Sequence, residues 1–94
     1  MTKAHPYIPA STVRAVRRLD VAWAHRFAER EGGRPFVAGR SRATGKWHSG
    51  DEVALMWLHQ MRTRLGTPDE QTASRNWLRE RGFNGLWGAR LDLH

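Results

Sequence analysis

Cysteine is absent from the 94 residues, which excludes disulfides, thiolate metal sites and thiol catalysis. Lysine is scarce: of the 16 basic residues two are Lys and 14 are Arg. Arg forks onto phosphates and stacks on flat rings, which Lys does not. Long apolar runs are missing. The longest, Val53 to Leu58, is six residues, far too short to span a membrane, so no membrane partner is expected. The opening MTKAHPYIPA holds no apolar run, so no secretory signal is expected and a cytoplasmic location is the default. Acid is scarce in one half only. Residues 1–50 carry ten Lys/Arg against three Asp/Glu, and residues 51–94 carry six against six, so the whole net charge of +7 lies in the first half.

What is present is enough for one domain. A chain of this size buries about 65% of the surface its unfolded form exposes, which allows one modest core. Five Trp, three Phe and one Tyr argue for order, because disordered chains are poor in aromatics. The expected fold class is mainly α, a three-helix domain with a small β-hairpin after the first helix, with a winged-helix-like arrangement as its finer form. Residues 1–10 are expected as an extended arm, since Pro6 and Pro9 push the residues before them out of helical space. Residues 11–94 form the domain.

The first helix is expected over 11–31, capped by Ser11 or Thr12 and stopped by Gly32-Gly33. Val13, Val16, Trp23, Ala24 and Phe27 share one face, with Leu19 at its edge. Asp20 projects into that stripe, and a structural ion pair with an Arg is its expected role. In the stretch 32–50, Phe36-Val37-Ala38 and Lys46-Trp47-His48 are short enough to be hairpin strands. The second helix is expected over 51–65. Ala54, Trp57, Leu58, Met61 and Leu65 make its broad apolar face, and Leu55 and Met56 add apolar surface on the other side. Such a helix is either central or covered by a partner. Gly66 ends it, and Thr67-Pro68-Asp69-Glu70 reads as a capping box with Pro at the first helical position. The third helix then runs to Arg81 and stops at Gly82. Ala73 and Trp77 form its apolar line with Leu78 beside it, and Thr72, Arg75, Asn76 and Arg79 share the other face. In residues 83–94, an Asn84-Gly85 turn and a short alternating strand are expected, with Phe83, Leu86 and Trp87 packed on the helices.

A basic domain of this kind points to a polyanion, nucleic acid first and DNA ahead of RNA. Two constellations could carry the contact. One is the basic loop with the first-helix face: Arg34, Arg40, Arg42, Lys46, Arg14 and Arg18, where Arg interleaved with Gly can follow a phosphate backbone. Trp47 beside Lys46 could stack on an unpaired base, although a packed Trp is the stronger expectation in a small domain. The other is the helix–tight turn–helix pair 51–65 and 67–81, whose second helix offers Arg75 and Arg79 to guanine and Asn76 to adenine. That pair departs from the usual helix-turn-helix pattern at Arg62 and Thr72, where a small and an apolar residue are typical.

Catalysis has little support. The five His stand at 5, 25, 48, 59 and 94, and none pairs with another at a helical metal spacing. No enzyme activity, cofactor or metal is expected. The leading expectation is a small accessory nucleic-acid-binding protein, compatible with a phage or mobile-element origin. The alternative is a protein-interaction module or small inhibitor that docks on a larger protein or nucleic-acid enzyme. It would use an acidic partner surface or an apolar interface at Trp47, Leu55 and Met56, and a homodimer fits either reading.

Overall fold

The structure is a computed structural model that describes residues 8–31, 34–42 and 44–83. The N-terminal arm up to residue 7, the Gly32-Gly33 stop, and the expected turn and strand in 84–94 lie outside the described residues. Four helices and one two-strand antiparallel sheet follow in the order α1 (Ala10–Arg18), α2 (Val21–Arg30), β1 (Gly39–Arg40), β2 (Trp47–His48), α3 (Gly50–Leu65) and α4 (Pro68–Glu80).

The single helix expected over 11–31 is therefore two, and three helices become four. The break is local chemistry. Leu19 takes a left-handed conformation with φ 58°, a strain that glycine would avoid. The Leu19 N–H donates to Val16 O, and the Asp20 N–H reaches back to Ala15 O at 3.0 Å. These two bonds close the last turn of α1. The Asp20 carboxylate then accepts the Trp23 N–H at 3.0 Å and caps α2. Its pairing with Arg18, at 3.6 Å, is the looser contact. Leu19 is held in place by packing against the core cluster of Val16, Ala24, Ala54, Leu58 and Met61. At the front of α1 neither Ser11 nor Thr12 caps. The carbonyl of Pro9 takes the Thr12 and Val13 N–H groups instead.

The second half follows the expected signals closely. Ser49 accepts the Glu52 N–H at 3.1 Å and starts α3. Asp51 and Glu52 stand in the first turn, and Arg62 and Arg64 in the last. Thr67 and Glu70 form a reciprocal capping box at α4. Gly82, with φ 101°, ends α4, and the Phe83 N–H closes on Leu78 O at 3.1 Å.

The core lies on both sides of α3. Ala54, Leu58 and Met61 face α1 and α2, while Met56 joins Leu78 and Phe83, with Trp77 packed against them, under α4. The helix that is apolar nearly all round is thus central, covered by the chain itself. Met56 is buried and Leu55 half-buried, so the apolar interface expected at that pair is largely spent inside. On α4 the buried line is Ser74 and Leu78, and Ala73 is exposed.

Candidate functional site

The hairpin is the part of the expected binding surface that the fold builds most clearly. Its strands are shorter than expected and β1 starts later, at Gly39 instead of Phe36. The register pairs Gly39 with His48 and Arg40 with Trp47. Side chains alternate across a strand, so His48 points in over a glycine while Arg40 and Trp47 point out together. His48 is buried, and Trp47 is 67% exposed. The expectation of a packed Trp47 is corrected by this alternation: one of two neighbouring residues had to face water, and the histidine found partners inside.

One of those partners lies in the turn and the other on α3. Thr44 Oγ1 lies 2.7 Å from His48 Nε2 and also accepts the Lys46 N–H. A hydroxyl that donates to Nε2 leaves the proton of a neutral ring on Nδ1. Nδ1 sits 3.1 Å from Glu52 Oε1, outside hydrogen-bond geometry. The other oxygen of Glu52 is 3.9 Å from Arg81 Nε. The Arg81 guanidinium lies 3.7 Å from the centre of the Trp77 ring, and His59 stacks on Trp77 at 4.0 Å. His59 Nδ1 is 2.8 Å from the Ser74 hydroxyl. Burial, reinforced by the charges of Arg62 and Arg81, lowers the His59 pKa from 6.5 to about 4. The ring is therefore neutral near pH 7. The sequence offered part of this network in two i,i+4 pairs, His48–Glu52 and Trp77–Arg81. The contact of His59 with Ser74 crosses between helices and carried no local signal.

The turn above is tied by its own backbone. The Ser41 N–H donates to Lys46 O, and the Gly45 N–H donates to Ser41 O. The Arg40 guanidinium donates to Gly45 O at 3.1 Å. Arg40, Arg42 and Lys46 are exposed, as is Arg34. The nearest acids in sequence are turned elsewhere, Asp51 to His25 at 2.9 Å and Glu52 to His48 and Arg81. Among the described residues no carboxylate pairs with Arg34, Arg40, Arg42 or Lys46.

The other expected site residues divide into two groups. The C-terminal end of α4 abuts the hairpin, since a Cβ on Gly82 would lie 3.4 Å from Thr44 Cβ. Arg79 donates to Asn76 Oδ1 at 3.0 Å, and Arg75 is half-buried, so the three residues expected to read bases are partly engaged within the protein. Arg14 and Arg18 are exposed on α1. Arg17, on the same helix, bonds Glu70 at 2.8 Å, and Glu70 faces Arg62. The Thr67 N–H and Arg17 hold the Glu70 carboxyl below the usual range. From Glu52, beneath the hairpin, to Arg62 is ten residues, or about 15 Å along α3. Through Arg17, α1 is therefore tied to the end of α3 away from the hairpin.

A further cluster had no counterpart in the expected sites. Trp23, Phe27, Phe36 and Trp57 are all half-buried. Trp57 lies 5.7 Å from Phe27 and 5.3 Å from Phe36, and Trp23 stacks on Phe27 at 4.9 Å. Val37 beside them is 66% exposed.

Among the described residues no group of three or more His, Asp or Glu could hold a metal ion, and no helix is long and apolar enough to cross a membrane. Comparison of the chain with protein-family models, with curated proteins and with solved structures finds no match.

Proposed function

We propose that the chain is a small, non-enzymatic nucleic-acid-binding accessory protein that acts by occupancy and holds phosphates with its hairpin. One observation carries the reading: a hydrogen-bonded turn presents Arg40, Arg42 and Lys46 to solvent beside an exposed Trp47, and no carboxylate of the described residues neutralises them. Basic side chains supply the phosphate contacts, and Arg does so with geometric fit. Arg14 and Arg18 extend the contact along a longer polyanion. In the finer form of the proposal, the hairpin stands as a wing beside the α3–α4 pair, and Asn76 and Arg79 turn from each other to base edges.

The test is fluorescence anisotropy of labelled single-stranded and duplex DNA and RNA at low and near-physiological salt. Binding that weakens steeply with salt is expected, because phosphate contacts release counterions. No binding at low salt would remove the proposal.

A second reading, a protein-docking module, is favoured by the half-exposed aromatic cluster with Val37 at its edge. Partners bound there would associate with weak salt dependence. A Val37→Asp change would disrupt a homodimer through this face, which sedimentation would detect.

A further inference from the structure

Building on the nucleic-acid reading, we infer that the ligand is single-stranded, with one unpaired base stacked on Trp47. The indole is the largest apolar group left in water among the described residues, at 67% exposure. The fold does not use it: His48, not Trp47, is buried against α3 and bonded to the turn. Among the described residues no ring or cation covers its face, whereas Trp77 is covered by His59 and Arg81. Its cross-strand neighbour Arg40 stands on the same side of the ladder, where directly opposed Cβ atoms are about 5 Å apart. Arg40 is drawn toward the turn by Gly45 O, which leaves the ring open and places a cation next to it.

This arrangement suits one ligand geometry. An indole face recognises another flat ring by stacking, and in a duplex the base faces are already occupied by their neighbours. Away from the duplex ends, only an unpaired base can present its face. The cations at Arg40, Arg42 and Lys46 lie within a few residues of the indole on a turn fixed by its own hydrogen bonds. A base on Trp47 and its adjoining phosphates would thus meet a site already formed, which reduces the ordering cost of binding.

The test uses the full chain and three labelled probes: a twelve-nucleotide oligothymidine, an abasic strand with the same number of phosphates, and a blunt duplex. The expected order places oligothymidine tightest. Trp47→Ala should weaken oligothymidine binding on the order of tenfold and leave the abasic strand unchanged, and Trp47→Phe should retain most of the affinity. Arg42→Ala with Lys46→Ala should weaken all three. Thermal unfolding of Trp47→Ala, expected to match the parent chain, separates a lost contact from a lost fold. If oligothymidine and the abasic strand bind equally, or Trp47→Ala weakens both alike, stacking is overturned while the phosphate-binding reading stands. If none of the probes binds at low salt, both fall.

Discussion

Trp47 and Trp77 both stand close to basic residues in the sequence, Lys46 and His48 for one and Arg75 and Arg79 for the other, yet the fold treats them in opposite ways. Trp77 lies in the seam between α3 and α4, stacked on His59 and beside Arg81. Trp47 stands on the outer face of the hairpin with its ring open. The helices pair their charges with one another: Glu52 serves His48 and Arg81, and Glu70 serves Arg17 and Arg62. The hairpin leaves Arg40, Arg42 and Lys46 to solvent. The same residue types therefore build stability in one region and a surface of unneutralised charge in the other. The local cause is the two-residue alternation that puts His48 inside and Trp47 outside.

If the seam and the core around α3 carry the stability, truncation there should have the largest effect. Leu58 and Leu78 are fully buried, one on each side of α3. Leu58→Ala and Leu78→Ala should each cost about 2–5 kcal/mol in urea unfolding. A cost below 1 kcal/mol at either site would mean that α3 is not the centre of the fold.

The next largest effect is a pH dependence confined to the seam. The His59 pKa falls from 6.5 to about 4 on folding, so the unfolded chain binds the proton more readily. Stability from this group is complete above pH 6.5 and is lost as pH drops toward 4, by at most about 3 kcal/mol. Denaturant midpoints measured at pH 7 and pH 4.5 should show the loss. The double change His59→Leu with Ser74→Ala removes both polar partners, and should flatten the dependence between pH 6.5 and 4.5. An unchanged slope would place the titrating group elsewhere.

A smaller effect tests the corner that divides the first half. Asp20→Ala removes the cap of α2 and should cost about 1 kcal/mol. Glu would not substitute, because its longer side chain places the oxygens beyond the Trp23 N–H. This corner marks the limit of what the sequence made legible. Apolar spacing from Val16 to Trp23 continues across it because α1 and α2 both turn their apolar faces to the same side of α3, so the period reads as one helix. No Gly or Pro marks the break, and Asp20 resembles an ion-pair residue when its capping role is the stronger. On α4 the ends were legible from Thr67, Pro68, Glu70 and Gly82, whose signals are local. The buried line was not, because Ser74 is polar and its reason for burial, His59, is 15 residues away. At the hairpin, the basic turn was legible from composition. Which of Trp47 and His48 faces inward was not, since it depends on Thr44 and Glu52 closing around the imidazole.

The smallest expected effect on stability is the one that bears most on function. Trp47→Ala removes the largest exposed side chain of the hairpin and should change stability by no more than about 0.5 kcal/mol, the range for surface sites free of special contacts. His48→Ala on the same strand should cost more, because it strips the partner of Thr44 and leaves Glu52 facing an empty space. Measured side by side in urea, the two neighbours should differ clearly. A large loss at Trp47 would mean that its ring supports the fold, and its exposure would then no longer argue for a ligand. A negligible loss there, with a marked loss at His48, leaves a tryptophan that the fold does not need on a strand whose neighbouring residue the fold does need. That combination is the one the proposed stacking role requires, because Trp47→Ala then changes binding without changing the fold.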